Sequence, residues 1–124
     1  LDEEPVWIRI TPVASAPDLL ERIGTLVRFG RYRVRLHATR HMIEEGFDEG
    51  DIIAALTSRG GRILEEYGDQ QRCLIVGTYP VGRAGRMHLH VVCDYSDTEI
   101  IDIVTAYIPQ RPWWVTPYRR GRVQ

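Results

Sequence analysis

Hydrophobic residues fall at helical spacing in the first half of the chain and at strand spacing in the second. Leu19, Leu20, Ile23, Leu26 and Val27 mark one face of a helix that Gly30 ends. Ser15-Ala16-Pro17-Asp18 reads as its start, with Ser15 as N-cap, Pro17 in the first turn and Asp18 at the capping-box position. Ahead of it, residues 6–10 read as a short strand or an extended arm. Residues 31–36 alternate, with Tyr32, Val34 and Leu36 on one side and Arg31, Arg33 and Arg35 on the other, which predicts a strand with an arginine-lined face. A short helix over 38–45 is stopped by Gly46. Asp48 caps a further helix whose inner face is Ile52, Ile53 and Leu56, with Gly60-Gly61 beyond its end.

From Arg62 the period changes. Residues 62–67, 72–79, 86–95 and 100–108 read as strands, joined by turn-rich segments over 68–71, 80–85 and 96–99. Connections this short force antiparallel neighbours, because parallel strands need a long crossover. The expectation is an α+β domain with helices on one face of a four- to five-stranded antiparallel sheet.

A chain of 124 residues is one domain's worth, and 44% hydrophobic with 27% charged residues excludes disordered, collagen-like and coiled-coil classes. The reading is a single domain over 1–124, with residues 1–30 an N-terminal extension and 115–124 a basic tail. No apolar run approaches the roughly 18 residues of a membrane helix. No apolar segment behind basic residues opens the chain, so a cytoplasmic protein without membrane contact is expected. The net charge of −1 excludes a generic polyanion binder. Its distribution is uneven. Residues 1–70 carry 9 Arg against 13 acidic residues, residues 71–124 carry 7 against 4, and from Pro109 onward there are 4 Arg and no acid. That points to a local anion-binding region. Every basic residue is Arg, whose planar fork suits phosphate. Cys73 and Cys93 are too few for a disulfide framework. They read as buried reduced thiols, with a bridge between neighbouring strands as the alternative.

Four histidines form two pairs. His37 and His41 are four apart, so on a helix they share a face; His88 and His90 are two apart and share a strand face. Two such pairs raise a zinc site as one reading, without any His-Glu-x-x-His or Cys-x-x-Cys to accompany it. The metal-free reading is phosphodiester cleavage in RNA. This needs a base for the 2′-hydroxyl, an acid for the leaving oxygen and cations over the phosphate, and histidine fills either proton-transfer role. Arg40 sits on the helix of the first pair, with Arg33 and Arg35 just upstream. Arg119 and Arg120 follow Trp113, and Arg122 follows them; aromatic residues interleaved with arginines stack bases and bind phosphates. Thr105 and Tyr107 point the same way near the end of the last strand. Glu44, Glu45, Asp48, Glu49 and Asp51 read as helix-end charges on a solvated face, and residues 82–85 as a hairpin loop.

The run Leu36-His37-Ala38-Thr39-Arg40-His41-Met42-Ile43-Glu44-Glu45-Gly46-Phe47, followed by Asp51-Ile52, resembles the opening of a bacterial domain of unknown function numbered 4258. Later marks are Arg62-Ile63-Leu64-Glu65-Glu66-Tyr67, Leu89-His90-Val91-Val92 and Ile103-Val104-Thr105-Ala106-Tyr107-Ile108-Pro109, so the family-like core runs over about 31–114. The resemblance implies a curved antiparallel sheet preceded by helices, similar to the RelE, MqsR and barnase-like ribonucleases. It also implies the toxin half of a toxin–antitoxin pair, with a small zinc-finger or helix-turn-helix antitoxin as partner. By position, His37, His90, Thr105 and Tyr107 fall on the family's recurrent polar positions. His41 and Glu45 depart from it, where Arg is common.

The expected function is therefore a metal-independent, cofactor-free endoribonuclease acting on single-stranded RNA. His37 and His90 would share the acid and base roles. Arg40 and one of Arg119 or Arg120 would stabilise the transition state, and Tyr107 and Thr105 would orient the phosphate. Arg33, Arg35, Arg119, Arg120 and Trp113 would bind RNA. The alternative is a catalytically silent protein-binding or regulatory domain of the same fold. The sequence allows a homo-oligomer and does not specify one.

Overall fold

A computed structural model describes residues 16–83 and 85–121. The strand or arm over 6–10, the Ser15 cap and Arg122 lie outside the described residues. Helix α1 (Ala16–Arg28) buries Leu19, Ile23 and Val27, four apart, as its apolar stripe requires. Gly30, at φ +76°, ends it in the left-handed conformation that a side chain would resist, and the Arg31 N–H donates back to the Leu26 carbonyl at 2.9 Å. Strand β1 (Tyr32–Val34) leads directly into α2 (Leu36–Glu45), which begins two residues earlier than the spacing predicts. Extended Arg35 serves as its N-cap, and its carbonyl accepts from the Thr39 N–H at 3.1 Å. Helix α3 (Glu49–Leu56) opens with the reciprocal capping box of Asp48 and Asp51, at 2.9 and 3.0 Å. Its buried residues are Ile52, Ala55 and Leu56, with Ile53 only partly covered.

Strands β2 (Arg62–Tyr67), β3 (Arg72–Val81), β4 (Gly85–Asp94) and β5 (Ile101–Tyr107) form the expected meander. The α+β class holds, but the sheet is mixed and not purely antiparallel. Its order is β1-β5-β4-β3-β2, and β1 runs parallel to β5, with Tyr32 opposite Ile101 and Val34 opposite Ile103. Short turns fix direction only for strands consecutive in the chain. Between β1 and β5 lie two helices and three strands, so that turn argument did not apply to β1. Residues 80 and 81 extend β3 rather than forming loop, since Pro80 pairs with Arg86 and Val81 with Gly85. Strand β2 stops opposite Val76, so Pro80 sits on an edge stretch where its missing N–H is tolerated. The arginine-rich tail is also ordered: β6 (Trp114–Thr116) and β7 (Arg119–Arg120) make a separate two-stranded hairpin.

The sheet has two dissimilar faces. Cys73, Ile75, Leu89, Val91, Cys93, Ile101, Ile103 and Ala106 join Ile23, Ala38, Phe47, Ile52 and Leu56 of the helical layer in the main core. Leu74, Val76 and His90 alternate with these, so they face the other way; they are buried without belonging to that core. Cys73 lies directly opposite Cys93, and both are free, fully buried thiols. Burial pushes the Cys73 thiol up to about 12 and Cys93 well above its ordinary value, so neither is a thiolate near neutrality. Iodoacetamide at pH 8 is expected to leave native protein unlabelled and to modify both thiols in urea, read by intact mass.

Helix α3 packs so closely on β3 that a Cβ on Gly77 would lie 1.9 Å from the Ala55 carbonyl oxygen. Backbone cannot yield as a side-chain tip does, so Gly77→Ala is expected to cost at least about 3 kcal/mol, the upper end of core overpacking, in urea unfolding.

Candidate active site

On the sheet face away from the helices, His90 of β4 has no solvent exposure. Its Nε2–H donates to the Pro117 carbonyl at 2.6 Å, and its Nδ1 accepts from the Tyr107 phenol at 3.2 Å. The carbonyl is acceptor only, which assigns the proton to Nε2. The Trp114 ring stands edge-on to the imidazole with centroids 4.3 Å apart, and Tyr107 does so at 5.2 Å. Burial pushes the His90 pKa below its ordinary value, so the ring is neutral near pH 7. Burial likewise pushes the Tyr107 phenol up.

The hairpin is fixed over His90 at several points. Arg120 makes a two-pronged pair with Glu65 of β2, at 2.8 Å for each bond, and its guanidinium lies 4.7 Å from the Trp114 ring centre. Tyr118 meets His88 at 3.1 Å, and Arg62 covers its ring at 4.1 Å. Arg120, with a smaller contribution from Tyr67, holds the Glu65 carboxyl below the usual carboxylate range against the opposing effect of partial burial.

Between this hairpin, the end of β5 and the C-terminal half of α2 lies a cleft of about 400 Å³. His41, Glu45, Tyr107, Gln110, Trp113 and Arg120 are among its lining residues. His41 and Glu45 are one helical turn apart, and His41 Nδ1 bonds to Glu45 Oε2. The other carboxylate oxygen accepts the main-chain N–H of Ile108 at 2.8 Å. A carboxylate so held fixes the imidazole ring and its tautomer and leaves Nε2 as the basic nitrogen. Cleft size and lining, mostly apolar with a few fixed polar groups, are those of a small-ligand site.

The sequence-predicted residues divide. His37 is exposed on α2, edge-on to His41 with ring centroids 5.0 Å apart, and His41 in turn lies 6.4 Å from Tyr107. The four rings of His37, His41, Tyr107 and His90 thus form one row. His90 is its sealed end, which removes it from direct acid–base work in this conformation. Trp113, 57% exposed, and Arg120 line the cleft. Arg40 and Arg119 are exposed and carry no ion pair among the described residues. Arg33 and Arg35 do not reach the cleft lining; both bind Asp102, at 2.9 and 3.2 Å. Partial burial works against the Asp102 carboxylate, but Arg35 and Arg33 outweigh it and keep its pKa below the ordinary value. The Thr105 hydroxyl is buried, lines no part of the cleft and has no hydrogen-bond partner among the described residues. Two histidine pairs do not make a metal centre here: among the described residues no three His, Cys, Asp or Glu side chains converge. No described helix is long and apolar enough to cross a membrane.

The model of one protein family, described as a domain of unknown function (DUF4258), matches residues 34–108, from the end of β1 to the residue after β5. The chain belongs to the DUF4258 family. No curated protein and no solved structure matches it. The DUF4258 match takes in α2, His90, Thr105 and Tyr107, and leaves α1, Trp113 and the β6–β7 hairpin outside. Much of this chain's cleft is therefore built from segments beyond the family-defining region.

Reading the acids of residues 44–51 as one solvated face missed Glu45. The signal available was its spacing of four from His41 together with its place at the last residue of the helix. Trp114 follows Trp113 in the aromatic, arginine-rich tail, and nothing local in the sequence says that it packs on His90. An orphaned buried hydroxyl costs about 1–3 kcal/mol. Thr105→Val is therefore expected to leave stability unchanged or raise it by about 1 kcal/mol in urea unfolding, and to leave cleft chemistry intact.

Proposed function

We propose that the cleft binds single-stranded RNA and cleaves it without a metal, by attack of a 2′-hydroxyl on the adjacent phosphodiester. The observation that carries this is the His41–Glu45 pair, anchored by the Ile108 N–H, in a cleft shared with Arg120 and an exposed tryptophan. The same class is the one that the sequence resemblance to the DUF4258 family implies. In this reading His41 replaces His90 as the base. Its Nε2 takes the 2′-hydroxyl proton while Glu45 stabilises the imidazolium at Nδ1. O2′ bonds to phosphorus, the P–O5′ bond breaks, and protonated His37 gives its proton to O5′. The products are a 2′,3′-cyclic phosphate and a 5′-hydroxyl. Arg120 keeps donors beyond those on Glu65 and, with Arg40, meets the charge that builds on the phosphorane. Trp113 offers its face to a base. Tyr107 forms the wall between His41 and His90.

A protein partner of antitoxin type accompanies this reading. Leu36 and Ile43, seven apart on α2, are 70% and 79% exposed, an apolar stripe suited to a partner's covering surface. Expression without a neighbouring gene product is expected to arrest bacterial growth; healthy growth with intact RNA favours the silent binding domain.

Purified protein is expected to cut single-stranded RNA in EDTA, leaving 2′,3′-cyclic phosphate ends, and to spare DNA of the same sequence. His41→Ala should lower the rate about 10²–10⁴-fold, the usual contribution of a general base, and Glu45→Gln should lower it less. Cleavage lost in EDTA, or untouched by His41→Ala, refutes the assignment.

A further inference from the structure

We infer that the β6–β7 hairpin is a proton-operated strap: it lies closed over the sheet while His90 is neutral and lifts when His90 takes a proton. The inference rests on how the hairpin packs and not on the nuclease reading.

The closed hairpin is the cover of His90. Pro117 supplies the acceptor for Nε2–H, and Trp114 supplies the ring that walls the imidazole from solvent. The hairpin is itself a firm unit. The Gly121 N–H donates to the Trp113 carbonyl at 2.8 Å, and a Cβ on Gly121 would fall 1.9 Å from the Pro112 oxygen, so the two legs are in close contact. A unit this stiff moves as a body.

The ionisable groups around His90 come from β2, β4, β5 and β7, while β3 and β6 meet it with Val76 and Trp114. Burial is the largest influence against a positive imidazole; Arg120 of β7 and His88 of β4 also oppose one, the Pro117 carbonyl and Glu65 of β2 favour one, and Tyr107 of β5 is a neutral phenol. Arg120 already engages both oxygens of Glu65, so that carboxylate offers little compensation. A proton on His90 therefore places a charge in a dry site with a cation beside it, while lifting the hairpin gives the charge to water. The sign follows from linkage. The closed form holds the proton more weakly than an exposed histidine, so closure is fully favoured above the ordinary value of about 6.5 and weakens as pH falls below it. The Arg120–Glu65 pair survives this range, because the carboxyl of Glu65 titrates below the usual carboxylate range. The strap would pivot on β7 while Pro117 and Trp114 leave the sheet, and His90 would become accessible beside Tyr107 at the cleft wall.

The test uses the full chain carrying Trp7→Phe and Trp113→Phe, so that emission reports Trp114 alone. From pH 7.5 to 5.0 the Trp114 emission maximum should shift to the red with a midpoint below 6.5, while far-UV circular dichroism stays constant. The maximum is read rather than the intensity, because an imidazolium quenches without exposing the indole. Glu65→Gln removes the pivot and should raise the midpoint. His90→Gln keeps an N–H donor without a titrating ring and should abolish the shift. Should that variant fail to fold, NMR titration of the His90 ring in the parent must coincide with the Trp114 transition. A static maximum, a shift that persists in His90→Gln, a non-coincident His90 titration, or loss of circular dichroism at the same midpoint each overturns the strap.

Discussion

An imidazole without solvent must find protein partners for both nitrogens, and in this chain that requirement organises the sheet face opposite the helices. His90 takes one partner from the neighbouring strand, Tyr107, and the other from the main chain of the C-terminal hairpin, Pro117. Neither contact is local in sequence; they are 17 and 27 residues away. Satisfying them sets the tautomer, turns the Tyr107 phenol inward and brings Trp114 against the ring. It also sets where Arg120 lands, on Glu65. The cleft wall follows from these placements, because Tyr107, Trp114 and Arg120 are three of its lining residues.

The other wall comes from a shortage of strand. β1 pairs with β5 only as far as Ile103. Beyond that point α2 takes over, and Glu45 at its end accepts the Ile108 N–H just past the last residue of β5. A main-chain donor that a longer β1 would have had to satisfy is thus met by a carboxylate. That carboxylate then has one oxygen left for His41. The fold's device for closing a sheet edge and the cleft's device for orienting the His41 imidazole are the same side chain. A substitution there acts on both, so Glu45→Gln, which keeps an acceptor for the Ile108 N–H, separates the roles better than Glu45→Ala.

Local patterning carried the helices, the meander and most of the boundaries, since each depends on residues within one turn or one hairpin. Gly30, Gly46 and the Asp48 cap are of this kind. The parallel placement of β1 was not legible, because no short connection constrains it. Of the site, same-face spacing and family position singled out His37, His90 and Tyr107, but neither the order of the rings nor His41 as the one beside Glu45 was legible. His88 and His90 share a strand face, yet one meets Tyr118 at the surface and the other is sealed under Pro117. Only the hairpin, which lies 27 residues further on and looks like a basic tail, separates them. Arg33 and Arg35 show the same limit. Their alternation was correct, but Asp102 stands beside Arg33 in register on β5, so their charge is committed to the sheet.

Ion pairs commit several of the arginines. Arg120 meets Glu65, Arg72 meets Asp94, Arg31 meets Glu99, and Arg33 and Arg35 share Asp102; of these, Arg120–Glu65 joins the basic tail to the acidic front. Exposed pairs of this kind contribute little each to stability, but they remove charge from the surface that a polyanion would meet. Arg40, Arg111 and Arg119 carry no ion pair among the described residues, and neither do Arg22, Arg28, Arg59, Arg62, Arg83 and Arg86. Arg40 lies one residue before His41, and Arg111 and Arg119 flank the Trp113–Trp114 segment in the chain. Arg40, Arg111 and Arg119 thus put positive charge without an ion pair on or beside the segments that build the cleft, while the arginines of β1, which sequence alone made equally attractive, are committed to Asp102. In the proposed nuclease reading, a phosphate held by Arg40 would lie one residue along α2 from the His41–Glu45 pair, which would supply the proton transfer.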